Sequence, residues 1–106
     1  MKRGEIWWAN VPEPWGRRPV LLLARDEAYD RLTWIIVAPI TTNVRRIPSA
    51  IPLTPGLDGV PQACAVALDN IQAIRKAWLA ARITALGAER MHEVERAVHF
   101  AMDLSS

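Results

Sequence analysis

The stretch Gly16-Arg17-Arg18-Pro19-Val20-Leu21-Leu22-Leu23 decides the fold of this 106-residue chain. Its apolar half is a continuous run of the kind that fills a buried central strand, predicted here over residues 18–24. Two arginines lie at the start of that strand, and a loop rich in Pro and Gly, residues 12–16, precedes them. A cation fixed by a rigid strand, beside a loop that can open and close, is suited to hold a phosphate group.

Four further segments have the composition of short strands. They are enriched in Val, Ile or Ala and are bounded by proline, glycine or polar residues. They span residues 5–11, 34–41, 49–54 and 63–71. Pro39 must lie at a bulge or on an edge of the sheet, because proline has no N–H to donate to a neighbouring strand. The structure of residues 74–79 stays open.

One long helix is predicted after the strands, over residues 88–104, with Gly87 as its N-cap. Its apolar stripe, at spacings of three and four, consists of Met91, Val94, Val98 and Met102. A short helical turn is predicted over residues 26–31, with Asp26 as its cap. Five strands followed by a helix predict an α+β fold: a small, twisted antiparallel sheet or SH3-like barrel with the helix packed on it.

The length of the chain predicts one domain, residues 1–106. Apolar residues make up 51% of the chain and include five tryptophans, which is more than a small core readily buries. A homodimer is therefore expected.

The formal net charge of +2 is unevenly distributed. Residues 1–46 carry eight Lys and Arg against five Asp and Glu, whereas residues 47–106 carry five against six. This distribution favours a local site for a polyanion. A bias of this size is also typical of a surface adapted only for solubility.

The single cysteine, Cys64, lies in an apolar run and is expected to be a buried hydrophobic residue. A lone cysteine excludes a disulfide framework and a cysteine-rich metal site. The N-terminus lacks the pattern of a signal peptide, and no apolar run reaches the ~20 residues needed to span a bilayer. A cytoplasmic protein without a membrane partner is expected.

Four short motifs occur in a characteristic order: Arg3-Gly4-Glu5-Ile6-Trp7, Arg18-Pro19-Val20-Leu21, Pro39-Ile40-Thr41-Thr42 and Leu68-Asp69-Asn70-Ile71. Through them the chain resembles the MazF/PemK family of toxin ribonucleases from toxin–antitoxin modules. The resemblance implies a sequence-specific, metal-independent endoribonuclease without a cofactor. It also implies that single-stranded RNA is cut by attack of the 2′-hydroxyl, which leaves a 2′,3′-cyclic phosphate and a 5′-hydroxyl. A homodimer and a cognate antitoxin follow from the same resemblance.

RNA cleavage without a metal needs a route for the 2′-hydroxyl proton, stabilisation of a charged phosphorane and help for the departing 5′-oxygen. Arg18 offers a planar, permanently charged fork for phosphate oxygens. The resemblance implies that Arg18, rather than Arg17, is catalytic, together with Thr41 and with Asp69, which orients the arginine or acts as base. From the residues alone, a threonine at position 41 more often satisfies a turn, and an acid at position 69 is more often a cap or a salt-bridge partner.

Trp15 is predicted to stack on RNA bases, because single strands bind to aromatic platforms beside basic grooves. Further candidates for RNA contact are Arg17, Thr42, Asn43, Arg45, Arg46, Asn70 and Gln72.

Two alternatives remain open at this level: a gyrase-binding toxin resembling CcdB, with the same fold, and a nucleic-acid-binding barrel without catalysis. The chain also departs from some MazF/PemK members, because its first loop is short and lacks a histidine.

Overall fold

The computed structural model describes residues 1–104, and these form seven strands and three helices. The strands are β1 (Glu5–Val11), β2 (Gly16–Leu22), β3 (Trp34–Thr41), β4 (Ala50–Leu53), β5 (Cys64–Ala67), β6 (Gln72–Arg75) and β7 (Leu79–Ala85). The helices are α1 (Ala28–Arg31), α2 (Pro55–Asp58) and α3 (Ala88–Ala101). Among residues 1–104 no helix is long and apolar enough to cross a membrane. Ser105 and Ser106, which the predicted domain includes, lie outside the described residues.

The strands pair antiparallel in the order β4-β5-β3-β2-β1-β7, and β6 also pairs with β3. One edge of β3 pairs with β2, and the other pairs with β6 along its first half and with β5 at its end. Pro39 lies where β3 changes from β6 to β5, so its missing N–H interrupts no continuous ladder. Pro39 therefore lies neither at a bulge nor on an edge of the sheet, as was predicted, but at another position that does not need its backbone N–H as a donor.

Apolar side chains are buried on both faces of the sheet, as the hydrophobic composition requires. On one face, β1, β2 and β3 pack with α3 through Ile6, Leu21, Ile40, Met91 and Val94. On the other face, Val20, Leu22, Ile35, Val37 and Ile74 surround α1. The predicted fold class, an antiparallel sheet with a C-terminal helix packed on it, is confirmed.

The prediction of five strands is wrong in number, because the described chain has seven. The segment 63–71 is divided: β5 ends at Ala67, a 3₁₀ turn follows over Leu68–Asn70, and β6 begins at Gln72. The sequence also missed β7, which contains three exposed alanines and has no clear alternation of apolar and polar residues. Pairing with β1 makes this segment a strand.

Two helix ends differ from the predictions. α3 starts after Gly87 as expected but ends at Ala101 rather than at Leu104. Asp103 has a positive φ of 54°, and the Leu104 N–H donates to the carbonyl of His99 at 2.8 Å, which closes the helix. Asp26 does not cap α1; its carboxylate accepts a hydrogen bond from the backbone N–H of Arg3 at 2.7 Å.

An ion pair joins α3 to α2. Arg90 donates from Nε and Nη2 to the two carboxylate oxygens of Asp58, at 3.0 Å each, and from Nη1 to Glu93 at 3.1 Å. Asp58 also accepts the backbone N–H of Thr54 at 2.8 Å. Burial alone would raise the pKa of Asp58, but the hydrogen bonds from Arg90 and Thr54 and the charge of Arg90 outweigh it and lower that pKa.

Candidate active site

Arg18 and Thr41 lie on the same face of the sheet. β2 and β3 are antiparallel neighbours with Val20 opposite Pro39, and the same register continued by two residues sets Arg18 opposite Thr41. Side chains two residues apart on a strand share a face, so both project beside Pro39. The structure thus brings together two of the three predicted catalytic residues.

Asp69 reaches this place from the 3₁₀ turn that follows β5. β5 pairs with the end of β3, with Ala65 opposite Thr41, and the turn carries Asp69 to the same opening. All three predicted catalytic side chains line one cavity of about 370 Å³, which we call the site cavity. Its lining comprises Arg18, Pro39, Thr41, Asn43, Arg45, Ile47, Ser49, Ala50, Ala65, Ala67, Asp69 and Asn70.

A second opening of about 560 Å³, which we call the flanking cavity, adjoins the site cavity. The residues that line both cavities are Arg18, Pro39, Asp69 and Asn70. The flanking cavity adds Trp15, Ile71 and Gln72. A linear polymer bound at Arg18 can therefore extend into the site cavity on one side and into the flanking cavity on the other.

The guanidinium of Arg18 is held in place but incompletely hydrogen-bonded. Its carbon lies 5.0 Å from the centre of the Trp15 ring, a cation–π contact. Its Nε is buried and has no hydrogen-bond partner among residues 1–104. A buried donor without a partner costs about 1–3 kcal/mol.

The hydroxyl and the carboxylate each have one defined hydrogen bond. Thr41 Oγ1 accepts the backbone N–H of Asn43 at 3.1 Å, which leaves the hydroxyl proton available for another acceptor. Asp69 Oδ2 accepts the hydroxyl of Ser49 at 2.5 Å. Ser49 could not be recognised as a site residue from the sequence, because it begins a predicted strand and no motif includes it; in the structure it lies in the turn before β4. Among residues 1–104, no three His, Cys, Asp or Glu side chains are grouped so that they could hold a metal ion.

The other residues predicted to contact RNA are divided between three places. Asn43, Arg45 and Asn70 line the site cavity, and Trp15, Asn70 and Gln72 line the flanking cavity. Thr42 and Arg46 are exposed and line neither cavity.

Arg17 is separated from Arg18 by the alternation of β2. Its guanidinium carbon lies 4.7 Å from the centre of the Trp8 ring, and Nη1 donates to Asn10 at 3.3 Å. It lines neither cavity. The two neighbouring arginines therefore serve different faces of the sheet.

Comparison with known proteins places this geometry in a family. Residues 2–102 match the family described as PemK-like, MazF-like toxin of type II toxin–antitoxin system. The chain is 42% identical over 103 residues to the probable endoribonuclease MazF5 of Mycobacterium tuberculosis, covering 97% of this chain and 94% of that protein. The solved structure of Mycobacterium tuberculosis toxin MazF-mt6 has a TM-score of 0.86 at 33% identity and covers 96% of this chain and 99% of that one.

A further solved structure is titled an endoribonuclease in complex with its cognate antitoxin, from Mycobacterial species. Its TM-score is 0.86, with 100% of this chain and 98% of that chain covered, and its 21% identity shows the common fold alone.

The antiparallel sheet gathers a guanidinium, a hydroxyl and a carboxylate in one open cavity, and these groups are chemically suited to a phosphodiester. The chain belongs to the PemK-like, MazF-like toxins of type II toxin–antitoxin systems, as its motifs predicted. Its relatives are named endoribonucleases, and this chain is an enzyme of that class.

Proposed function

We propose that this protein is a sequence-specific, metal-independent endoribonuclease that cuts single-stranded RNA in the cytoplasm, with one catalytic domain over residues 1–106. The observation that carries the proposal is the convergence of Arg18, Thr41 and Asp69 on the site cavity, in a chain of this family. No one of these residues would suffice, since each also has a structural use.

The proposed reaction is an internal transesterification. The 2′-oxygen attacks the adjacent phosphorus, and the bond from phosphorus to the 5′-oxygen of the next nucleotide breaks. Asp69 accepts the proton of the 2′-hydroxyl, and solvent supplies a proton to the departing 5′-oxygen. The products are a 2′,3′-cyclic phosphate and a 5′-hydroxyl.

Arg18 stabilises the charge that develops on the phosphorane. Arg18 lines the site cavity, and its fork can donate two parallel hydrogen bonds to phosphate oxygens. Thr41 Oγ1 accepts the Asn43 N–H through a lone pair, so its hydroxyl proton is free to be donated. Thr41 donates this proton to a non-bridging phosphate oxygen. The arginine and the hydroxyl thus act on the same phosphoryl group.

The two cavities receive the nucleotides on either side of the scissile phosphate. Trp15 offers a face for a base, and Asn43, Arg45 and Asn70 offer donors for bases or phosphates. The exposed Arg17, Thr42 and Arg46 would contact only RNA that extends beyond the cavities.

A cognate antitoxin is proposed to occupy the same cavities through carboxylates. A cationic cavity that attracts phosphates also attracts an acidic peptide, so the antitoxin excludes the substrate by competition. The related endoribonuclease that was solved with its cognate antitoxin supports an interaction of this kind.

A homodimer is proposed to form through an apolar groove between α3 and the sheet. The groove is lined in part by Leu23, Ile36, Ile71, Met102 and Leu104. Ile36 is 50% exposed and Met102 58%, which is unusual for side chains so apolar. A second copy would cover them.

The test is cleavage of total RNA and of a defined oligonucleotide in EDTA, with mapping of the 5′-hydroxyl ends. Arg18→Ala is expected to lower the rate by about 10²–10³-fold, the usual loss when a charge-stabilising donor is removed. Arg17→Ala is the matched control, because this neighbouring arginine lines neither cavity, so cleavage of a short oligonucleotide that stays within the cavities should be unchanged.

Absence of cleavage by the wild-type protein, or full activity of Arg18→Ala, would overturn the proposal. Salt-sensitive RNA binding without products would indicate a binding barrel instead. Inhibition of gyrase supercoiling with intact RNA would indicate a gyrase-binding toxin.

A further inference from the structure

We infer that Ser49 is a positioning residue that orients Asp69 for the reaction, an inference that rests on the proposed function. Ser49 is 3% exposed, whereas Asp69 is exposed to solvent. The Ser49 hydroxyl donates to Asp69 Oδ2 at 2.5 Å, which lies in the range of strong hydrogen bonds to carboxylates. A buried donor therefore restrains the carboxylate of a solvent-exposed acid.

The backbone fixes the position of the Ser49 hydroxyl. The carbonyl of Ser49 accepts the N–H of Leu68 at 2.9 Å, and Leu68 directly precedes Asp69. The adjacent pair, Ala50 opposite Ala67, continues this contact into the β4–β5 ladder. Ser49, which directly precedes β4, and Asp69, which follows β5, are thus kept close by the pairing of these two strands.

The bond also distinguishes the two carboxylate oxygens of Asp69. Oδ2 accepts from Ser49, whereas Oδ1 has no protein donor among residues 1–104, so Oδ1 is the oxygen that we assign to take the 2′-hydroxyl proton in the site cavity. Ser49 ends the same loop that carries Asn43 and Arg45. The donor to Asp69 therefore belongs to the loop that also lines the site cavity.

The kinetic test compares Ser49→Ala with Ser49→Thr, which keeps the hydroxyl. Ser49→Ala should lower kcat by about 10- to 100-fold with KM unchanged, because a misplaced catalytic group lowers the rate by amounts of this order. Ser49→Thr should recover most of the activity. In an Asp69→Ala background, Ser49→Ala should cause little further loss.

Full activity of Ser49→Ala would overturn the inference. So would an equal loss in the presence and absence of Asp69, since the serine would then act independently of the acid. If Asp69→Ala itself is fully active, the proposed role of the acid fails, and the inference fails with it.

A spectroscopic test does not depend on cleavage. The ¹³C resonance of the Asp69 carboxyl should move in Ser49→Ala and return in Ser49→Thr. The wild-type protein should also show a slowly exchanging Ser49 hydroxyl proton that disappears in Asp69→Ala, a measurement that needs no Ser49 variant to fold. If that proton is missing from the wild-type spectrum, the inference is overturned even where RNA cleavage is confirmed.

Discussion

Replacing Arg90 by alanine removes the ion pair that fastens α3 to α2. The Asp58 side chain is 6% exposed and that of Arg90 21%, so the variant leaves a nearly buried carboxylate with the Thr54 N–H as its remaining donor. A buried charge that has lost its partner is strongly destabilising. The C-terminal helix should therefore detach more easily from α2.

The expected magnitude follows from the two bonds of 3.0 Å between Arg90 and Asp58. Hydrogen bonds to charged groups contribute about 1.5–3 kcal/mol each. Water can reach the space that the arginine vacates, so we expect about 2–4 kcal/mol in total, below the sum of both bonds. Domains unfold at about 5–15 kcal/mol, so this is a large share of the stability.

Urea denaturation followed by tryptophan fluorescence measures the loss. Arg25→Ala is the control, because the ion pair of Arg25 with Glu27 is exposed at 64% and 66%. Exposed pairs contribute about 0–1 kcal/mol, so the control should unfold almost like the wild type. A loss in Arg90→Ala no larger than in Arg25→Ala would refute the reasoning.

The pH dependence has a defined sign. The folded-state pKa of Asp58 is lowered, so this group contributes stability above about pH 4, the ordinary pKa of an unfolded aspartate, and loses it as pH falls through the folded value. The difference in unfolding free energy between wild type and Arg90→Ala should therefore narrow below that pH. A constant difference down to full protonation of Asp58 would contradict the assignment.

Three further predictions concern the site and the surface. Trp15→Ala should raise KM for RNA by about 5- to 150-fold, the equivalent of ~1–3 kcal/mol for one stacked base, with a smaller effect in Trp15→Phe; equal KM values would exclude stacking. Ile36→Glu should convert a dimer to a monomer in light scattering, whereas Leu57→Glu, at a position 82% exposed outside the groove, should not. Cys64 is buried as predicted, and burial, followed by the charge of Asp58, raises the pKa of its thiol. It should react with a thiol reagent only after unfolding, and rapid labelling of the folded protein would contradict this.

The fold could be predicted wherever a local pattern marks an element. β1 and β3 have the composition of strands and α3 has apolar periodicity, and each begins where it was predicted. β7 could not be predicted, because its alanines carry no period and its backbone partners come from β1, at the other end of the chain. The division of residues 63–71 into two strands could not be predicted for a related reason. β3 pairs with β6 along its first half and with β5 at its end, and no local sequence pattern indicates this change of partner.

The motifs predicted which residues belong to the site but not how those residues are arranged in space. The motifs selected Arg18, Thr41 and Asp69, and the structure gathers all three in the site cavity. They did not select Ser49, whose bond to Asp69 spans 20 residues of sequence.

The sequence by itself determined that this chain forms an antiparallel sheet with a C-terminal helix and belongs with the toxin ribonucleases, because strand composition, helix periodicity and short motifs are local properties. Only the tertiary structure decided that Arg18 enters the site cavity while Arg17 turns to Trp8, and that Ser49 holds Asp69. The physical reason is that strand pairing sets which face and which distant neighbour each side chain meets, and pairing partners are not adjacent in sequence.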